Sequence, residues 1–147
     1  MDAVERQRLE AAYRATRYVV PALQLGLRIG RRHPDLDAVL QQHGVVAWAF
    51  VSAANPRSVA LCEHENRARH QNLTDTLAQC GVTWFDGIGE PLDAGWAPES
   101  SALVLGVSAE RATQLGHDFD QYAVVFGELG GAAQLLWCVP VMGGGRI

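Results

Sequence analysis

Residues 45–53 read VVAWAFVSA, and this run decides the fold class. It is almost continuously apolar but only nine residues long, and Val and Phe fit a pleated sheet better than a helix. A strand with one wet face would alternate apolar and polar residues; this one barely does, so it is expected to be covered on both faces. Two more runs have the same character, ALVLGV at 102–107 and YAVVFG at 122–127.

Between these strands the chain follows helix grammar. In HPDLDAVLQQHG, residues 33–44, Pro34 suits the first turn, Asp35 and Asp37 suit the positive end of the helix dipole, and Gly44 suits the stop. ENRARHQNLTDTLAQCG, residues 65–81, is a longer helix closed by Gly81. Ser108 is a good N-cap for AERATQLGHDF, because its hydroxyl can accept from a backbone N–H left free at the helix start. VERQRLEAAYRAT, residues 4–16, places Val4, Leu9, Ala12 and Tyr13 among charges as an amphipathic helix. RYVV and LQLGLRI, separated by Pro21, read as a hairpin, and VTWFDG and AQLLWCV as further strands. The pattern predicts an α/β or α+β fold, a single three-layer domain with a mixed β-sheet and about four helices. The domain is expected to span 1–140, with 141–147 as a flexible tail.

At 147 residues, with a net charge of −4 and no lysine, the chain excludes several functions. A P-loop, a Schiff base and a catalytic lysine all require the missing residue. Residues 1–33 carry seven arginines against Asp2, Glu5 and Glu10, a local +4, whereas the rest carries −8. The overall sign is wrong for a general nucleic-acid binder, so that partner is not expected. No apolar run reaches the roughly 18 residues of a membrane span. The odd number of well-separated cysteines, Cys62, Cys80 and Cys138, suggests reduced thiols acting as small hydrophobes in a cytoplasmic protein.

The stretch NPRSVALCEHENRARH, 55–70, imitates a zinc-protease helix. That site needs histidines at i and i+4 on one helix face. His64 and His70 are six apart, which turns them about 120° from each other, and position 68 is alanine. No metal site and no cofactor is expected. Leu73, Leu77 and Cys80 form the core stripe of this helix, and seven residues before Leu73 the stripe begins with an amide, Asn66. Glu65 stands four before Arg69, the favourable order for an ion pair.

Loop 87–101, GIGEPLDAGWAPESS, has a G-x-G at Gly87 and Gly89 without the third glycine or the helix that a dinucleotide fingerprint needs. Thirteen aperiodic residues, 88–100, carry Trp96 and Glu99 and suggest a lid or binding loop, although a lone Trp such as Trp96 is more often a plug over the core. Asn55, Arg57, Glu99 and Gln121 fall at strand ends with no evident local need for them. The bland alternative is that Asn55-Pro56 makes a turn and Asn66 satisfies loop carbonyls.

The succession WAFVSAANPRS, ENRARH, G…GW.PE.S.LVLG and A..LG..F.Q.AVVFGE resembles a family of small bacterial proteins catalogued as domain of unknown function 3293. The resemblance covers about residues 13 to 130 and rests on Asn55, Pro56, Glu65, Asn66, Trp96, Glu99, Gly116, Phe119 and Gln121. The sequence departs from the family pattern at Ala54, where an aromatic residue is usual, and at Asp120 and Tyr122, where glycine and asparagine are commoner. The resemblance implies organisation rather than chemistry.

Two functions follow. One is a small polar ligand, nucleotide-like or amino-acid-like, bound at the strand carboxyl ends by Asn55, Arg57, Asn66, Trp96 and Gln121, with Glu99 for any acid–base step. The other is a non-catalytic protein-interaction module, a regulator or a homodimer. It would make contact through the basic N-terminal segment, or through AQLLWCV pairing across a sheet edge.

Overall fold

The structure is a computed structural model and describes residues 1–92 and 97–138. Helix α1 (Ala3–Arg14) leads into the hairpin β1 (Thr16–Val20) and β2 (Leu25–Leu27), followed by α2 (Pro34–Gln42). Then come β3 (Ala47–Ser52), α3 (Glu63–Cys80), β4 (Thr83–Pro91), β5 (Glu99–Leu105), α4 (Ala109–Asp118), β6 (Ala123–Glu128) and β7 (Gln134–Trp137). The seven strands form one sheet in the order β2-β1-β4-β5-β3-β6-β7.

The four helices and the three layers are as expected, on the α+β side of the expectation, but the sheet is antiparallel at every pairing rather than mixed. The reason lies in the crossovers. Helix α3 carries the chain from β3 to β4 past β5, and α4 carries it from β5 to β6 past β3. Each crossover joins strands that run the same way but are not neighbours, and the strand in between fills the gap in the opposite direction. Helix–strand alternation alone does not distinguish this from a parallel sheet.

The run 45–53 does become the doubly covered centre. Trp48 and Phe50 enter a core with Tyr18, Leu27, Leu36 and Leu103, under α1 and α2. Ala47, Ala49 and Val51 enter the opposite core with Leu73, Leu77, Val104 and Leu115, under α3 and α4. Helices α1 and α4 begin at side-chain caps: Asp2 accepts from the Glu5 N–H on α1, and Ser108 accepts from the Arg111 N–H on α4.

The two edges of the sheet approach each other. Just beyond β2, the Gly30 N–H donates to Ala133 O at 2.8 Å and Ala133 N–H donates to Arg31 O at 2.9 Å, just before β7. Arg32 and Ala132 complete this bridge. Farther along the same side, α1 lies against the other edge: the Arg6 guanidinium is 5.0 Å from the Trp137 ring, and Tyr13 meets that ring edge-on at 6.3 Å. The sheet is therefore curled, strapped at one end by residues 30–32 and roofed at the other by α1.

Candidate functional site

Under α1, the concave face of the curled sheet encloses a cavity of about 970 Å³. Its walls are Tyr13 on α1, Tyr18 on β1, Phe50 and Ser52 on β3, Gly89 on β4, and Glu99 and Ser101 on β5. Side chains alternate along a strand, so on β5 this face carries Glu99, Ser101, Leu103 and Leu105 in turn. The first two are polar and lie in the cavity, whereas the last two are buried in the core. On β3 the same face carries Trp48, Phe50 and Ser52, and Ser52 pairs with Ser101 across the strands. The polar end of both strands lies at the same rim.

The Gly87 and Gly89 pair has a packing explanation. A Cβ at Gly87 would stand 2.6 Å from the Phe50 ring, so the glycine makes room for that ring. The loop expected at 87–101 is also much shorter, because β4 extends to Pro91 and β5 begins at Glu99. Trp96 lies outside the described residues, as does the tail 141–147.

Past β3 the chain bends sharply. Asn55, Arg57 and Ser58 all have positive φ, at 48°, 53° and 61°. Left-handed backbone is unfavourable for residues with a Cβ, mildly so for Asn, and it persists only where neighbours over-determine it. Here Asn55 N–H donates to Asn66 Oδ1 and Asn66 Nδ2 donates to Asn55 Oδ1, both at 2.9 Å. Leu61 N–H donates to the same Asn55 oxygen at 3.0 Å, and Arg57 N–H donates to Asp120 O at 2.7 Å.

These bonds fix the Asn55 amide. Its oxygen is occupied by two donors, so its nitrogen points to Glu99 and donates to Oε2 at 2.8 Å. Burial raises the Glu99 pKa above the ordinary carboxylate value, while Asn55 and nearby Ser52 pull it back down. The Tyr13 phenol is pushed well above its usual range, first by burial and then by the Glu99 charge. Tyr18 is raised in the same way by burial, with Tyr13 the next cause.

Gln121 is buried, and its Nε2 donates to Ala54 O at 3.0 Å and Phe119 O at 3.2 Å, which leaves its carbonyl oxygen as the remaining polar atom. Arg57 borders the cavity with its guanidinium 5.6 Å from the Tyr122 ring centre. The fold thus gathers Asn55, Arg57, Glu99 and Gln121 around one cavity, while Asn66 stands behind Asn55 as its support. In an antiparallel sheet there is no common carboxyl edge. The site sits instead where β3 ends and β5, β6 begin, with α1 above.

Arg69 was read from the sequence as the partner of Glu65, and the structure corrects this. Glu65 turns back to accept from Cys62 N–H, closing a capping box in which Cys62 Sγ accepts from Glu65 N–H. Arg69 instead donates through Nε to Ala53 O at 2.5 Å and through Nη2 to Phe119 O at 2.6 Å, with Asp120 3.5 Å away. One side chain thereby joins the loop that holds Asn55 to the loop that holds Gln121. Its signal in the sequence was position alone, three residues after Asn66.

The expectation for the thiols also changes. Cys80 is exposed rather than part of the core stripe, and accepts from Arg111 Nη2 at 3.2 Å, and exposed Cys62 is a helix cap. Only Cys138, half-buried against Gly116, packs as a hydrophobe, and burial pushes its pKa up to about 11. His70 pairs with Asp86 at 3.1 Å on the opposite face of the sheet, and among the described residues no group of three metal-ligating side chains is assembled.

The family described as protein of unknown function DUF3293 matches residues 51–124, half of the chain, and the chain belongs to that family. No curated protein and no solved structure matches it. The matched segment runs from the end of β3 through β5 and α4 to the start of β6, and so contains Asn55, Arg57, Asn66, Arg69, Glu99 and Gln121. Helix α1, the roof of the cavity, lies outside it.

Proposed function

We propose that this member of the DUF3293 family binds a small polar molecule inside the curled sheet, beneath α1. Asn55, Glu99 and Gln121 would read its polar edge, and Arg57 would meet an acidic group if it carries one. The observation behind this reading is the cavity of about 970 Å³ in which Asn55, Arg57, Glu99 and Gln121 meet the rings of Tyr13, Tyr18 and Phe50. Ligand sites commonly have this composition and occupy about 300–1,000 Å³. An amino-acid-like or nucleotide-like molecule has the matching combination of size, hydrogen-bonding edge and charge. Glu99 is the residue for any proton transfer there, because burial has already moved it toward neutral pH. Two exposed free thiols fit a reducing, cytoplasmic setting.

The test is a thermal-shift screen of the full chain against nucleosides, nucleotides, amino acids and simple amines, repeated on Glu99→Gln and Asn66→Ala. A ligand that binds only the folded state raises its melting temperature. A shift present in the wild type and lost in both variants supports the reading. A shift that neither variant changes places the ligand elsewhere, and an unmoved melting temperature across all classes turns the search toward macromolecular partners.

A further inference from the structure

The carboxylates that line the cavity, Asp2, Glu5 and Glu99, outnumber the arginines that line it, Arg8 and Arg57. Glu99 is half-buried, and the side chains that meet its carboxylate are neutral: Asn55 donates to Oε2, and Ser52 lies nearby. None of the ion pairs among the described residues includes it. The chain has twelve arginines to place. Of the two that line the cavity, Arg57 has its guanidinium over the Tyr122 ring, and neither is paired with Glu99 among the described residues. A buried charge without a partner is costly, and proteins retain one where something else supplies the partner.

The surroundings narrow what that partner is. Gln121 spends both its donors on Ala54 and Phe119, so what it offers a ligand is an acceptor. Glu99, when ionised, also only accepts. The nearest walls are the rings of Tyr13, Tyr18 and Phe50, whose faces carry negative potential and attract cations. On α1, Asp2 and Glu5 line the cavity beside Arg8. Acceptors, an excess of carboxylates over arginines and aromatic rings together complement an N–H donor that carries positive charge.

Resting on the cavity reading above, we propose that the ligand is an organic cation, a protonated amine or guanidine held by the Glu99 carboxylate against the tyrosine and phenylalanine rings. Arg57, also in the cavity wall, is then left for an acidic group on the same molecule, as in an amino acid.

The experiment uses three probes of one shape on the full chain: benzylammonium, benzyl alcohol and benzoate, titrated by calorimetry or ligand-observed NMR at neutral pH. Benzylammonium is expected to bind at least about tenfold more tightly than the alcohol, in keeping with a charge-assisted bond in a desolvated site. Glu99→Gln keeps the acceptor for Asn55 but removes the charge, and should bring the two probes to within about twofold of each other. Tyr13→Leu, which leaves Glu99 in place, should weaken the cation more than the alcohol. Equal or tighter binding of the alcohol or benzoate overturns the cation assignment while leaving the small-molecule site standing. A cation preference that survives Glu99→Gln overturns it as well. If none of the three binds and the thermal-shift screen is also blank, both readings fall together.

Discussion

At the scale of single residues, Glu99 has the sharpest consequence. Its folded-state pKa is raised, so folding takes up a proton in the pH interval between the ordinary glutamate value and the raised one. Stability therefore falls as pH climbs through that interval and levels off above it. Glu99→Gln should remove this part of the pH dependence, which urea melts of both proteins from pH 4 upward would reveal. A slope equal in both would assign it to another group. Gly87 provides a steric test. Alanine there places a Cβ 2.6 Å from the Phe50 ring and 3.2 Å from Val19 O, so Gly87→Ala should cost about 1–3 kcal/mol by overpacking, measured by the same melts. Phe50→Leu in that background should recover part of the loss.

At the scale of elements, the loops after β3 and before β6 depend on a side chain from α3. Arg69→Ala takes its donor from the Ala53 carbonyl and leaves the Phe119 carbonyl with Gln121 Nε2 alone, and at about 1–3 kcal/mol for an unsatisfied group the variant should lose about 1–3 kcal/mol. It should also speed amide exchange at Arg57, whose N–H is held by the Asp120 carbonyl next to the clamp. Much of the local structure could be read in advance. The apolar run at 45–53, Pro34 with its two aspartates, and Ser108 with its helix each obey a rule that acts within a few residues. Asn55, Glu99 and Gln121 stood out because a polar side chain at a strand end had no neighbour in sequence to satisfy. Arg69 did not stand out, because its true partners lie 16 and 50 residues away and a plausible one lay only four away. The antiparallel pairing was hidden for a related reason: which strand fills the gap under a crossover is decided by packing across the whole sheet.

For the whole molecule, the curl is what makes an interior. It is held at one end by the contact between residues 30–32 and 132–133, and α1 closes the other end without burying a single residue fully. No helix among the described residues is long and apolar enough to cross a membrane. Removal of residues 1–12 should therefore leave the sheet folded. Far-ultraviolet circular dichroism should lose only the helical signal of α1, and amide protection in β3 and β5 should persist. The same truncation should weaken any ligand of the cavity. Unfolding on truncation would make α1 a structural element, whereas unchanged affinity would mean that the ligand never touches it.

The fixed amide of Asn55 also decides an address. Leu61 and Asn66 occupy its oxygen, so Asn55 can present Glu99 with nothing but N–H, and this holds Oε2 as an acceptor. When Glu99 takes up its proton, the hydrogen belongs on Oε1. The carboxyl group thus changes from acceptor to donor at one known atom while the other stays anchored. A proton that leaves Glu99 therefore leaves from the oxygen that Asn55 does not hold.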